Sequence, residues 1–494
     1  MTKSESESEN STPISKPKTK VLFKIIIIPI LLSIICYYSL IYHKKYLENH
    51  VNIKLNESKP VYWLFSKSKS ENHLKHVVIV LDRLGLHRGT DKSDWNILWS
   101  HEHPFSQLST NFRGLKSHQR VNHIPGFGFI TNKVDLSKTE SPYIPASYKI
   151  PDDNELLLKI AKENPNKLFV QKSNNHRNIE IKNIENIDFK NDKSFVQEYI
   201  DKPYLIDGFK FDIGVYTVVT SIDPLRIYTY KGDVLFRFCP HEYHPFDQND
   251  IDKYVVGDDY LPIWNVPSLK KYYVDYGFSM KETFDAYAKT KGQNPDKIWN
   301  NVYQAITSIV LDKEKKIAEF YNNYPSKRNF FEMVRFDFIL DEDLNVFVME
   351  ANMSPNLSSA HYPPNRLLYE QVLFNLFALI GIGQRIDPIY RKPRNWKERE
   401  IEVADKNIAV LPDVCLKCDD CFRVECQICK PCFTDEMRQI LGQCYTEHQN
   451  KMDYKRIFPP KITNDMVLKD YSMKNQLLLR WYQGKCEADS SWCD

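Results

Sequence analysis

Short runs of apolar residues alternate with polar ones along most of this chain, and they predict a body of strands with a few helices. Two runs, Phe336 to Leu340 and Val346 to Asn352, are rich in β-branched and aromatic residues. They flank the polar stretch Asp341-Glu342-Asp343-Leu344-Asn345, the pattern of an antiparallel hairpin. A loop over residues 342–345 sets Asp337 opposite Glu350, and strand alternation turns Asn352 to the same side as Glu350. Further strands are expected at Leu168 to Lys172, Ile179 to Ile181, Phe195 to Ile200, Phe211 to Ser221, Arg226 to Tyr230 and Leu235 to Phe238. Asp223-Pro224 marks a turn between two of them. Leu156, Leu157, Ile160 and Ala161, after Pro151-Asp152-Asp153, have helical spacing, as do Val302, Ala305, Ile306 and Ile309 within Trp299 to Tyr321. Residues 240–295 read as polar, aromatic and irregular, and no internal repeat is visible outside the cysteine spacing.

The two ends differ from this body. Residues 1–20 are Ser, Glu and Lys with almost nothing apolar, the composition of a disordered tail. Residues 21–42 carry no charge after Lys24 and predict a membrane-spanning anchor. Residues 43–75 read as a polar stalk. The lysines on either side give a slight bias toward a cytoplasmic N-terminus, which makes this a single-pass protein with a lumenal body in preference to a cytosolic one. Asn56-Glu57-Ser58 would then be a glycosylation acceptor.

Composition changes the picture at two points. Lys and Arg number 67 against 64 Asp and Glu, so no polycationic signal marks a nucleic-acid partner. Nine of the eleven cysteines lie beyond residue 414, six of them spaced C-x2-C-x2-C-x4-C-x2-C-x2-C from Cys415 to Cys432. That spacing suits a disulfide-stapled module, with a zinc–thiolate site as the lesser alternative, because zinc knuckles are usually set farther apart.

The hairpin carries the chemistry. Facing carboxylates in a cross-strand pair repel, and a cation between them would remove that cost. An all-oxygen set of Asp337, Glu350 and Asn352 suits a hard ion such as Mg²⁺, with a merely solvated acidic face as the alternative.

Three segments then resemble one family: "FDFILDEDLNVFVMEANMSPNL", "FVQEYIDKPYLIDGFKFDIGVYTVVTSIDPLRIYTYKGDVLFRF" and "VNHIPGFGFITNKVDL" are similar to the tubulin-tyrosine-ligase-like proteins over about residues 76 to 385. The resemblance implies a mixed α/β, ATP-grasp fold with the nucleotide between two mainly antiparallel sheets. It implies an N-terminal α/β domain over 76–150, a central ATP-grasp domain over 151–238 and a C-terminal ATP-grasp domain with the metal site over 239–390; the cysteine content marks a Cys-rich extension over 391–494. Asp337, Glu350 and Asn352 would hold Mg²⁺, as one ion or as a pair, Gln197, Glu198, Tyr199 and Ile200 would meet adenine, and Lys172, Lys210 and Arg237 would contact phosphates, with Asp212 beside them. The implied reaction is ATP-dependent ligation of free glutamate to a glutamate side chain in a tubulin tail or another glutamate-rich acceptor, by way of an acyl phosphate.

The chain departs from the family pattern in three places. The segment after Lys172 has no glycine, Gly214 stands where the family's "FDLR" carries arginine, and the family's Leu-Thr-Asn element has no clear counterpart near Tyr260 to Asn265. The alternatives are accordingly a pseudoligase that binds nucleotide or serves as a scaffold, and a lumenal ligase with a secretory acceptor.

Overall fold

The computed structural model describes residues 28–58, 60–67, 71–173, 180–321, 323–324, 327–383 and 402–493. The tail over 1–20, most of the glycine-free segment after Lys172 and the stretch 384–401 lie outside the described residues. The chain divides into two units, Met1–Lys59 and Pro60–Asp494.

The first unit corrects the expectation of a membrane anchor. Among the described residues no helix is long and apolar enough to cross a membrane. The helix Ile28–Ser58 does not stop at Tyr42 but runs on through His43, Lys44, Lys45 and Glu48. Its charge-free described part is therefore shorter than the roughly 20 apolar residues that a spanning helix needs. The single-pass assignment, the membrane partner and the choice between a lumenal and a cytosolic body fall with it. Residues 21–27 and the Asn56 side chain lie outside what is described.

The second unit holds three sheets in a mixed α/β arrangement. The first is parallel, in the order β2-β1-β3-β4, from β1 (Val61–Phe65), β2 (His87–Arg88), β3 (Ile97–Ser100) and β4 (Arg120–Val121). β1 lies within the stretch read as stalk, yet Tyr62, Trp63 and Leu64 are buried. The apolar run Val77 to Leu81 is a helix, Lys75–Arg83, and buries Val77, Val80 and Leu81 at helical spacing.

The second sheet is small and antiparallel, in the order β5-β8-β6-β7, from β5 (Ser147–Lys149), β6 (Phe169–Ser173), β7 (Glu180–Lys182) and β8 (Ser194–Glu198). The helix Asn154–Glu163 packs Leu157 and Ala161 against Tyr148, Phe169 and Val196, a core separate from the main one.

The third sheet is the frame of the molecule. It is built from β9 (Phe211–Ile222), β10 (Leu225–Tyr230), β11 (Leu235–Phe238), β12 (Leu261–Pro262), β13 (Glu332–Leu340), β14 (Val346–Met353) and β15 (Tyr454–Phe458). β9 pairs with β11 through residues 211–214, with β10 through 217–222 and with β13 through 213–219. All nine residues of β13 are buried, so polar side chains on it need partners inside the protein. The helix Pro295–Tyr321 packs Val302, Ala305, Ile306 and Ile309 into the main core, as the spacing predicts. Residues 240–295 are more regular than expected, because Ser279 and Glu282 form a capping box that starts the helix Met280–Thr290.

The C-terminal residues join this frame instead of trailing from it. β15 pairs antiparallel with β10, and Arg226 on β10 meets the buried Glu447 of the helix Asp435–Asn450 at 2.9 Å. Cys415 bonds Cys429, Cys418 bonds Cys426, Cys421 bonds Cys432 and Cys486 bonds Cys493. The six clustered cysteines are therefore paired with one another, which leaves no thiolates for the alternative of zinc. Cys239 and Cys444 are free and buried.

Candidate functional site

The hairpin forms as its residue pattern predicts, but its register is reached by another route. Leu340 pairs with Val346 and Phe338 with Val348, one residue off the expected pairing, and a bulge then restores Asp337 opposite Glu350. The Asp341 side chain ties the loop, accepting from the Asn345 backbone N–H at 2.8 Å, and Leu344 takes a positive φ of 65°. Asn352 bridges the two carboxylates, its Nδ2 donating to Asp337 Oδ2 and to Glu350 Oε1 at 2.9 Å each. One donor within reach of both carboxylates shows that they converge on a single point. Two carboxylates and an amide that can turn its oxygen inward fit a hard divalent cation.

Each carboxylate already has a cation. Asp337 accepts from Arg335 at Oδ1 (2.6 Å) and Oδ2 (2.8 Å), and from Arg237 Nη2 at 3.0 Å. Arg237 also holds Asp212 through two bonds of 2.9 and 2.6 Å. The strands dictate this alternation. Arg237 pairs with Asp212 across β11 and β9, and Asp337 pairs with Gly214 across β13 and β9, so all these positions share one face of the sheet. Burial raises the Asp212 carboxyl to about 6 against the pull of Arg237. Burial also works against the Glu350 charge, but Lys133, 3.2 Å away, and the Asn352 amide hold that carboxyl at about 2.

The small sheet contributes the opposite charge. Lys172 on β6 donates from Nζ to Gln197 Oε1 on β8 at 2.6 Å. Burial lowers the Lys172 ammonium to about 8, with Lys133 and Lys210 adding repulsion and Glu350 opposing them. Lys210 is buried, its Nζ lying 4.9 Å from the centre of the Tyr199 ring, and burial lowers it to about 8 as well. Among the described residues neither lysine makes an ion pair with a carboxylate. A half-buried and a buried cation with no carboxylate partner among the described residues form a place that favours an anion.

The segment expected to meet adenine lies at the edge of this zone. Gln197 also donates to Ser147 Oγ at 3.0 Å, while Glu198 accepts from Tyr148 at 3.0 Å and from Lys167 at 2.7 Å. The Tyr199 hydroxyl lies 3.0 Å from that of Tyr243, and Ile200 follows, half-buried. The stretch Tyr260-Leu261-Pro262 lies alongside Arg237 through β12, and Asn365 donates to the Tyr260 hydroxyl at 2.8 Å. No threonine stands in that stretch.

Two site residues escape a reading of the sequence. Arg335 was detectable, since it is two positions before Asp337 and a strand puts both on one face. Lys133 lies within the segment VNHIPGFGFITNKVDL, but its pairing with Glu350 leaves no local mark, because it arrives from the short helix Lys133–Ser137, far from the hairpin in sequence.

The Tubulin-tyrosine ligase family matches residues 112–388 of this chain. The chain is 41% identical over 441 residues to the probable tubulin polyglutamylase ttll-15 of Caenorhabditis elegans, an overlap of 86% of this chain and 85% of that protein. It is 28% identical over 321 residues to tubulin polyglutamylase TTLL6 of Mus musculus, covering 60% of this chain and 38% of that one. It is 30% identical over 314 residues to tubulin monoglutamylase TTLL4 of Mus musculus, covering 58% of this chain but 25% of the relative.

Proposed function

We propose that this chain, which belongs to the tubulin-tyrosine ligase family, is an ATP-dependent ligase that joins free glutamate to a glutamate side chain of an acceptor protein, a tubulin tail being the first to test. The observation that carries the reading is that the carboxylate hairpin is accompanied by half-buried Lys172 and buried Lys210, neither of which makes an ion pair among the described residues. One side fits a divalent cation and the other fits phosphate oxygens, the two halves of a metal–nucleotide complex. The names of the relatives supply glutamate as the amino acid and tubulin as the acceptor.

In this reading the acceptor carboxylate oxygen attacks the γ-phosphorus of ATP, and the bond to ADP breaks. The amine of free glutamate then attacks the acyl carbon, phosphate leaves with the bonding pair, and the amine proton passes to solvent or phosphate. Lys172, Lys210 and Arg237 bind and orient the phosphate oxygens. Gln197 holds the Lys172 ammonium in place, and Asp212 fixes the Arg237 fork through two bonds. Asp337, Glu350 and Asn352 would hold Mg²⁺, which when bound neutralises charge on the terminal phosphates. Catalysis of this kind is positioning plus charge stabilisation, and it needs no nucleophilic side chain. The domain limits 151–238 and 239–390 belong to the same proposal, with the nucleotide between the small sheet and the frame.

A second reading, a nucleotide-binding scaffold without turnover, draws on the completely partnered Asp337. Incubation of the purified chain with ATP, Mg²⁺, labelled glutamate and tubulin separates the two. The ligase reading expects label in tubulin and a drop of roughly 100-fold or more with Glu350→Gln. Nucleotide binding without incorporation favours the scaffold, and an absence of both overturns the nucleotide site.

A further inference from the structure

We propose that Arg335, entering from β13 through the space that Gly214 leaves on β9, supplies the guanidinium that binds the terminal phosphoryl oxygens in this site. The inference rests on the reading of the site as one for ATP.

The two residues form a single device. Gly214 stands opposite Asp337, and Arg335 reaches over it from two positions along the same strand. A Cβ at Gly214 would lie 2.8 Å from Arg335 Cδ, 3.2 Å from its Nε and 3.3 Å from Asp337 Oδ1. Those distances are inside ordinary contact, and Arg335 is buried with little room to retreat. Any side chain at 214 would therefore displace the guanidinium. The glycine that looks like a missing cation in the sequence is the condition for a cation carried on the neighbouring strand.

Arg335 and Arg237 are not equivalent. Arg237 is anchored by Asp212 through two bonds and touches Asp337 only at its edge. Arg335 forks onto both oxygens of Asp337, which is its only ion-pair partner among the described residues. A divalent cation that takes the Asp337 oxygens leaves Arg237 paired and Arg335 without its acceptor. A buried guanidinium left in that state requires another oxyanion. The planar fork suits two oxygens of a phosphoryl group, and these arrive with the same nucleotide that brings the metal. Arg335 thus serves as the counter-ion of Asp337 before the ligand binds and as a phosphate clamp afterwards.

The test is equilibrium binding of ATP and of ADP to the full chain, each with Mg²⁺ and with EDTA. In Mg²⁺, Arg335→Gln is expected to weaken ATP by on the order of 10- to 100-fold, the range of a charge-assisted hydrogen bond, with ADP unchanged within about twofold. Arg335→Lys, which keeps the charge without the fork, is expected to fall between. It also serves if the glutamine variant melts early. Gly214→Arg/Arg335→Gly, which returns the cation to β9, is expected to bind ATP better than Arg335→Gly alone. Equal weakening of ATP and ADP, or no weakening of either, would overturn the inference, as would an exchange variant no better than the single one. A wild-type chain that binds neither nucleotide removes the ATP reading itself. A wild-type chain that binds both, with Arg335→Gln unchanged, removes this inference alone.

Discussion

The two sheets that meet at the site carry charge in opposite ways. On the frame, Asp212, Asp337 and Glu350 are each matched by Arg237, Arg335 or Lys133, so the acidic face is neutral before anything binds. On the small sheet and at Lys210, the cations face an amide oxygen and an aromatic ring instead. The frame side is thus closed on itself and serves stability as well as binding. The lysine side is held at a cost that only a ligand relieves, the usual division between structure and function in a binding site.

The contrast breaks first at Asp337. Asp337→Asn strands Arg335 and weakens the hold on Arg237, and it is expected to destabilise the fold by about 3 kcal/mol, read as a drop in Tm, together with loss of nucleotide binding. Lys172→Met should do the reverse to stability, leaving Tm equal or higher because a half-buried ammonium with no carboxylate partner among the described residues is removed. Affinity for ATP is then expected to fall roughly tenfold or more in calorimetry. A Tm that falls with both variants would erase the distinction between the two sides.

Titration gives the smallest and most graded comparison. Lys172 and Lys210 titrate at about 8 where a free lysine has 10.5, so their charge is present below pH 8 and fades above it. ATP affinity is expected to fall as pH rises through 8, with protons taken up on binding near that pH. Stability runs the other way, because a lowered lysine contributes stability above 10.5 and loses it as pH falls through 8. Glu350 has the opposite window: lowered from 4.5 to about 2, it contributes stability above 4.5 and loses it as pH falls toward 2. Calorimetry in buffers of different ionisation enthalpy, with melting curves at each pH, reads both.

How far the sequence revealed this depends on the distance over which each feature is encoded. The hairpin, its facing carboxylates and the long helix Pro295–Tyr321 were legible because alternation and helical spacing act within a few residues. The bulge that corrects the register leaves no mark in the residue pattern. Val77 to Leu81 is uniformly apolar, and periodicity cannot assign a short apolar run to helix or strand. The anchor expected over 21–42 is not supported, because among the described residues the charge-free part of the helix runs only from Ile28 to Tyr42, short of a bilayer's span. Lys133, Arg226 with Glu447, and β15 depend on pairings between distant parts of the chain, which no local pattern encodes.

That last strand has a consequence for how the protein is made. During synthesis, β10 emerges long before β15 and shows a bare row of backbone donors and acceptors along its outer edge. The frame can close only when Tyr454–Phe458 has left the ribosome and docked, so the nascent chain passes through a long interval with an open, sticky edge. A nascent-chain chaperone held at that edge, or arrest of translation before residue 454, would catch the molecule with its chemistry assembled and its border unfinished.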